Sequence, residues 1–305
     1  MAELSQWVYD TPAKKTKRKW RIWEMTSYAY ILPLLVILIG FYVIPIVMSF
    51  ALSFTKYNIM QPPTYIGAKN YMKLFTDETF IKSIQNTFLF MICVVPIQTI
   101  GALLMAVWLT AWKRSWLARF VQSVMFIPVI SSMILIGIVW RILLNGDTSP
   151  LNMVVDWLGF APDWLGDSDI ALFTLMGISI WKNIGYFMVL YIAGLMEIPA
   201  VYHEAAKVDG ANIFQEFFAI TIPCLRKTTV LVVFLGIIWS FQIFDLVYTL
   251  TGGGPGNATM TMVVHIFNLN FKQFNTGYAM TVANVLFLIN ATFVIVQKRF
   301  LKSDS

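Results

Sequence analysis

The chain has 305 residues, 58% of them hydrophobic and only 12% charged, with a formal net charge of +6 at pH 7. A soluble domain carries about 25% charged residues, so this composition, with a mean hydropathy of +0.70, excludes a water-soluble globular protein and indicates a polytopic membrane protein. The basic residues are scattered beside apolar segments, which argues against nucleic acid as a partner. Two cysteines and two histidines, far apart in sequence, point to neither a disulfide nor a metal cluster.

In chain order, residues 1–27 form a polar segment with Lys14, Lys15, Lys17, Arg18, Lys19 and Arg21, and with Trp20 and Trp23 suited to headgroup depth. The apolar run that follows is too long for a signal-peptide core and lacks a small-residue cleavage site, so it reads as an uncleaved first span. Six segments reach the ~20 residues that cross the hydrocarbon core: residues 28–54, 86–109, 120–144, 170–195, 228–250 and 277–296. Interior prolines Pro33, Pro45, Pro96 and Pro128 predict kinks. The loop over residues 145–169 is acidic (Asp147, Asp156, Asp163, Asp167, Asp169), carries Trp157 and Trp164, and predicts a short surface helix around residues 151–158.

The placement of Lys and Arg sets the orientation. With the N-terminus inside, the inner segments hold the six basic residues above plus nine more (Lys113, Arg114, Arg119, Lys207, Arg226, Lys227, Lys298, Arg299, Lys302). The outer loops hold five (Lys56, Lys69, Lys73, Lys82, Lys272), and Arg141 and Lys182 fall inside spans. Fifteen against five predicts cytoplasmic N- and C-termini in a multi-pass cell-membrane protein. Its parts are a basic segment 1–27, a six-span membrane domain 28–297 that includes the polar stretch 198–223, and a tail 298–305.

Residues 198–223 are the one long polar insertion between apolar segments on that inner side. Pro199 is suited to a first helical turn, Ala205, Ala206 and Lys207 favour helix, and Gly210 suits a left-handed cap. Asn212 and Gln215 have the spacing of a capping box for a second short helix, which Pro223 ends or redirects. Thr251-Gly252-Gly253-Gly254-Pro255-Gly256 follows the fifth span. It is no phosphate loop, because no Gly-Lys-Ser/Thr follows and it faces outward, so the chain has no ATP site of its own.

Inside the spans Lys182 stands out, because a charge at mid-depth is costly and faces a cavity or a partner. Ser179, Asn183 and Tyr186 follow at i, i+4 and i+7 on one helix face, a polar and aromatic face that suits a sugar. The alternative is packing between helices through Asn and Ser. For Lys182 it is a buried ion pair, with Asp245 as a candidate partner nearer the outer face. The fifth span adds Gly236, Trp239, Ser240, Gln242 and Asp245.

Glu204-Ala205-Ala206, Asp209-Gly210 and, nine residues on, Ile220-Thr221-Ile222-Pro223 resemble the EAA loop of the membrane subunits of binding-protein-dependent ABC importers. The usual ending is Leu-Pro where this chain has Ile222-Pro223. The Gly-Gly-Pro stretch after the fifth span is similar to that of sugar-importer subunits of the maltose-transporter type. The resemblance runs from about Tyr28 to the C-terminus and is most specific from Trp181 to Pro255. It omits the large periplasmic domain and the two additional spans of the maltose protein.

It implies an all-α fold of six transmembrane helices with a cytoplasmic coupling helix, in a chain that is not an enzyme. Implied partners are a second, homologous membrane subunit, two cytosolic ATPases that bind the ATP, and an extracellular binding protein delivering a carbohydrate of the oligosaccharide class. Glu204, Ala205, Ala206, Asp209 and Gly210 would carry the coupling. The solute positions would fall on Ser179, Lys182, Asn183, Tyr186, Gly236, Ser240 and Ile243, with Ser131 and Ser132 as further candidates. Tyr186 matches the family's residue type. Lys182, Asn183 and Ile243 do not, and a lysine there favours an acidic sugar or a phosphorylated solute as the alternative. A secondary transporter coupled to ions and a membrane-embedded enzyme are the rival classes. Against them, Asp245 is nearly alone among acidic residues in the spans, which supply no histidine or carboxylate pair.

Overall fold

The computed structural model describes residues 22–112, 115–145, 149–155 and 162–302, with the side chains of residues 22–29, 298 and 300–302 excepted. The basic residues up to Arg21, together with Lys113, Arg114, Asp147, Asp156 and Trp157, lie outside the described residues. The chain divides into two compact units, residues 1–48 and 49–305.

The first unit contains α1 (Ile22–Leu38), a π-helical turn (Ile39–Val43) and the start of α2 (Ile44–Ser53). Pro45 follows that turn. Its ring would strike the carbonyl four residues back, and the wider π turn relieves the clash. Pro33 lies within α1 without interrupting it.

In the second unit, a hairpin absent from the sequence expectation follows α2: β1 (Thr55–Asn58) and β2 (Gln61–Tyr65) pair antiparallel, Thr55 opposite Tyr65 and Asn58 opposite Gln61. After α3 (Lys69–Leu74) comes α4 (Glu78–Ala111). It starts eight residues before the expected second span because Asp77 caps it, accepting from the Thr79 and Phe80 N–H groups at 3.0 and 3.2 Å.

The third expected span is broken. Helices α5 (Trp116–Ile130) and α6 (Met133–Leu143) meet at Ser131–Ser132 with a bend of 105°. Pro128 is near the break, but the chain turns where Ser131 and Ser132 adopt extended backbone, ψ 141° and 139°. The short surface helix is α7 (Pro150–Val155). The fourth span, α8 (Ala171–Met196), is continuous and leads into α9 (Ala200–Val208), α10 (Ile213–Glu216), a π turn (Phe217–Thr221) and α11 (Ile222–Cys224).

The fifth span is also interrupted: α12 (Arg226–Phe241) stops, residues 242–244 turn, and α13 (Asp245–Leu250) resumes. The Ile243 carbonyl, which no helix uses there, accepts from Thr261 Oγ1 at 3.2 Å. Then α14 (Met262–Phe267), a π turn (Asn268–Lys272) and α15 (Thr276–Lys302) complete the chain. Among the described residues, five segments are long and apolar enough to cross a bilayer, and the bent α5–α6 pair, counted as one span, makes six.

The packing centres on α4. Its Phe90 and Val94 join α8 and α13, its Phe80 joins α14 and α15, and its Ala102, Ala106 and Leu109 join α8 and α12 in three apolar clusters. Ala102 and Ala106 are fully buried, and small residues there let helix backbones approach closely. Side-chain amides fasten the loops at the N-terminal end of α4: Asn86 Nδ2 donates to the Asn257 and Met260 carbonyls, and Asn70 Nδ2 to those of Ser53 and Thr55.

Candidate functional site

Both interrupted spans border one cavity of about 300 Å³, lined by Ser179, Lys182 and Asn183 of α8, by Met133 at the start of α6, and by the 239–245 turn of the fifth span. From that turn come Trp239, Ser240, Gln242, Ile243, Phe244 and Asp245. A continuous α12 would present only every third or fourth of these residues to one side. The break lets several successive residues line the cavity.

Of the seven solute positions expected from sequence, Ser179, Lys182, Asn183, Ser240 and Ile243 meet at this cavity. Tyr186 lies behind it, its ring 5.0 Å from that of Trp239, which also stacks near Phe187 at 5.3 Å. Gly236 lies one turn below Ser240 against α4, where an added Cβ would come 2.5 Å from Gln98 Nε2. Lys182 and Asp245 share the cavity, yet among the described residues no ion pair joins them. Ser131 caps its own helix end by donating to the Ile127 carbonyl at 3.1 Å, and of the Ser131–Ser132 neighbourhood only Met133 reaches the cavity. Met133 and Gln98 were not legible as site residues, because neither stands out by charge or spacing.

The second feature is the pair α9–α10. Pro199 is the N-cap of α9 rather than its first helical residue. Gly210 adopts φ +75°, and the Gly210 and Ala211 N–H groups return to the Lys207 and Ala206 carbonyls at 3.2 and 2.9 Å, a Schellman closure. The Asn212–Gln215 capping box is complete, with bonds of 2.8 and 2.9 Å. A clasp not anticipated from sequence joins the two helices: His203 Nδ1 lies 2.6 Å from Glu216 Oε1.

Pro223 does not end the second helix directly. The π turn just before it absorbs the clash, and the chain turns at Leu225. Glu204, Ala205 and Asp209 are exposed, whereas Ala206 is buried. Ala205, Ala206, Asp209 and Glu216 line a cavity of about 480 Å³ under the pair. Val208, Ile213 and Phe214 are 87%, 83% and 75% exposed, a concentration of apolar surface beyond what a solvated turn needs.

The profile of the family described as "Binding-protein-dependent transport system inner membrane component" matches residues 80–303, a stretch that contains the cavity and the α9–α10 pair. The chain belongs to that family. Among its relatives, a probable ABC transporter permease protein of Bacillus subtilis, YurN, is 33% identical over 92% of this chain and 97% of its own length. A probable starch degradation products transport system permease protein of Thermoanaerobacterium thermosulfurigenes, AmyD, is 31% identical over 93% and 96%. A membrane chain of a bacterial ABC transporter involved in the import of the acidic polysaccharide alginate shares the fold, with a TM-score of 0.82 at 20% identity over 92% of this chain and 96% of that one. This inner membrane component is therefore a multi-pass part of a binding-protein-dependent importer, a transport protein and not an enzyme, and the ion-coupled and enzymatic rivals fall away.

Proposed function

We propose that this inner membrane component carries an oligosaccharide across the membrane in an ATP-driven importer. On this reading an extracellular binding protein delivers the solute, a second homologous subunit completes the passage, and two cytosolic ATPases supply the work. Both termini and the α9–α10 pair face the cytoplasm, in keeping with the fifteen-to-five placement of basic residues. The observation that carries the solute reading is the cavity at the two broken spans, where hydroxyl, amide and indole groups converge. Sugars need many hydrogen-bond partners and an aromatic face, and Ser179, Asn183, Ser240, Gln242 and Trp239 supply both kinds. The names of AmyD and of the alginate transporter support a carbohydrate.

Glu204, Ala205, Ala206, Asp209 and Gly210 form the coupling element. The exposed Glu204 and Asp209 offer carboxylates to an ATPase, and Val208, Ile213 and Phe214 offer apolar surface beside them. Tyr186 and Gly236 act from behind the cavity wall, through Trp239 and Gln98 respectively.

Lys182 favours a second reading, an acidic or phosphorylated solute. Asp245 in the same cavity counters it, because the carboxylate offsets what the ammonium gains from an anion. The test is ATP hydrolysis by the reconstituted importer with its binding protein, across neutral and acidic oligosaccharides. Stimulation by a neutral sugar that survives Lys182→Ala supports the main reading. Stimulation confined to acidic sugars and lost in Lys182→Ala replaces it with the second, and silence with every carbohydrate removes both.

A further inference from the structure

We infer that Gln98 of α4 is a positioning residue for solute recognition: it holds the Asn183 amide so that Asn183 presents a hydrogen-bond acceptor to the cavity and selects for a solute hydroxyl. The inference rests on the carbohydrate reading and adds a specificity element that the cavity lining alone does not reveal.

Gln98 is fully buried. Asn183 Nδ2 donates to Gln98 Oε1 at 3.1 Å and to Ser179 Oγ at 3.3 Å. An amide nitrogen has two hydrogens, so both are engaged within the protein. The acceptor, Asn183 Oδ1, has no protein donor among the described residues, and Asn183 lines the cavity. The amide is therefore turned so that it accepts from a visitor.

The other half of Gln98 explains why this arrangement needs a particular neighbour. Gln98 Nε2 is buried without a hydrogen-bond partner among the described residues. It occupies the space beside Gly236, where a Cβ would intrude to 2.5 Å, with the Val95 side chain 3.5 Å from the same point. A buried orphan donor is costly, and a leucine or methionine would fill the same volume without that cost. The glutamine keeps its place by what its Oε1 does for Asn183. Gly236 keeps its place by leaving Gln98 room.

Three spans are thus tied to one recognition atom: α4 through Gln98, α8 through Asn183 and Ser179, and α12 through the gap at Gly236. An acceptor desolvated in a cavity rejects an analogue that lacks the matching hydroxyl far more strongly than an apolar wall rejects a missing methylene. The ligand class is therefore a polyhydroxylated solute that donates one hydroxyl hydrogen to Asn183 Oδ1.

The test uses the complete importer in proteoliposomes with its binding protein. The probes are maltotriose and an alginate trisaccharide, each beside its single-deoxy derivatives. The readout is uptake of parent over uptake of deoxy derivative. The binding protein is the same throughout, so a change in this ratio belongs to the membrane component. For the deoxy position that matters most, Gln98→Met lowers the ratio about tenfold. Asn183→Ala lowers it equally, and combining the two lowers it no further, as expected if Gln98 acts through Asn183.

Gly236→Ala, which pushes Gln98 from the opposite side, gives the same loss and serves if Gln98→Met fails to assemble. An unchanged ratio in Gln98→Met beside a lowered one in Asn183→Ala overturns the positioning role. An unchanged ratio in all variants overturns the role of Asn183 as well. Failure to import either probe, by native and variant alike, overturns this inference for these solutes, whereas the carbohydrate reading itself falls only on silence with every carbohydrate.

Discussion

At the scale of single residues, the N-terminal end of α4 gathers ionisable groups from several elements. Tyr278 of α15 donates to Asp77 Oδ2 at 2.8 Å, His265 Nε2 of α14 lies 3.9 Å from the same oxygen, and the Lys73 ammonium of α3 sits 4.3 Å from the centre of the Tyr278 ring. Burial raises the Asp77 carboxyl, but hydrogen bonds from Tyr278, Phe80 and Thr79 and the nearby His265 outweigh it, so the net direction is below its ordinary 3.8. Burial also lowers His265 below its ordinary 6.5. Asp77 opposes that shift, and Lys73 adds to it.

The sign follows from linkage. An unfolded His265 takes up its proton near 6.5, while the folded one resists until lower pH. Its contribution to stability is therefore intact above about 6.5 and is lost as pH falls from there. Asp77 contributes above its ordinary 3.8 and loses that only in stronger acid. Melting temperature measured between pH 8 and pH 5 should fall in the native protein, and His265→Gln should flatten that fall. An equal slope in both would place the titration elsewhere. Neither Asp77 nor His265 looked special in the sequence, because Asp77 and its partner Tyr278 stand 201 positions apart.

At the scale of elements, legibility follows the range of the signal. The α9–α10 pair could be read because its instructions are local: a cap at Gly210, a box from Asn212 to Gln215 and a proline at Pro223. Only the His203–Glu216 clasp, which spans 13 residues, was hidden. The breaks at Ser131–Ser132 and at residues 242–244 were not read, because their polar residues are isolated within apolar runs that stay long enough on average to cross a bilayer. The chain there obeys tertiary partners such as Thr261.

Gly210→Val tests the cap. At φ +75° a β-branched side chain is strained by about 1–2 kcal/mol or more, enough to swing α10 away from α9 while leaving the spans assembled. The expected outcome is ATP hydrolysis that persists while solute moved per ATP falls several-fold. Normal stoichiometry in this variant would mean that the joint between the short helices plays no part in coupling.

At the scale of the whole molecule, composition alone specified a polytopic helical protein, and the spacing of apolar runs placed six crossings. What composition could not supply is which faces meet, since Gln98, Asn183 and Gly236 become neighbours only through the packing of three separate spans. Orientation is open to a direct check. The two thiols are free, Cys224 exposed just after the α9–α10 pair and Cys93 half-buried within α4. A membrane-impermeant maleimide should label Cys224, in a Cys93→Ser background, in inside-out vesicles stripped of ATPase and not in right-side-out ones. Labelling from the other side would reverse the proposed topology.

The bend in the third span also has an electrical consequence. A helix that begins at Met133 leaves its first N–H groups without intrahelical acceptors, and its aligned peptide dipoles place roughly half a positive charge at that end. Met133 borders the cavity, so the backbone contributes a positive field there that no count of charged side chains records. With Lys182 and Asp245 both lining the cavity, this uncounted half-charge would, on the proposed reading, favour the oxygen-rich side of a solute.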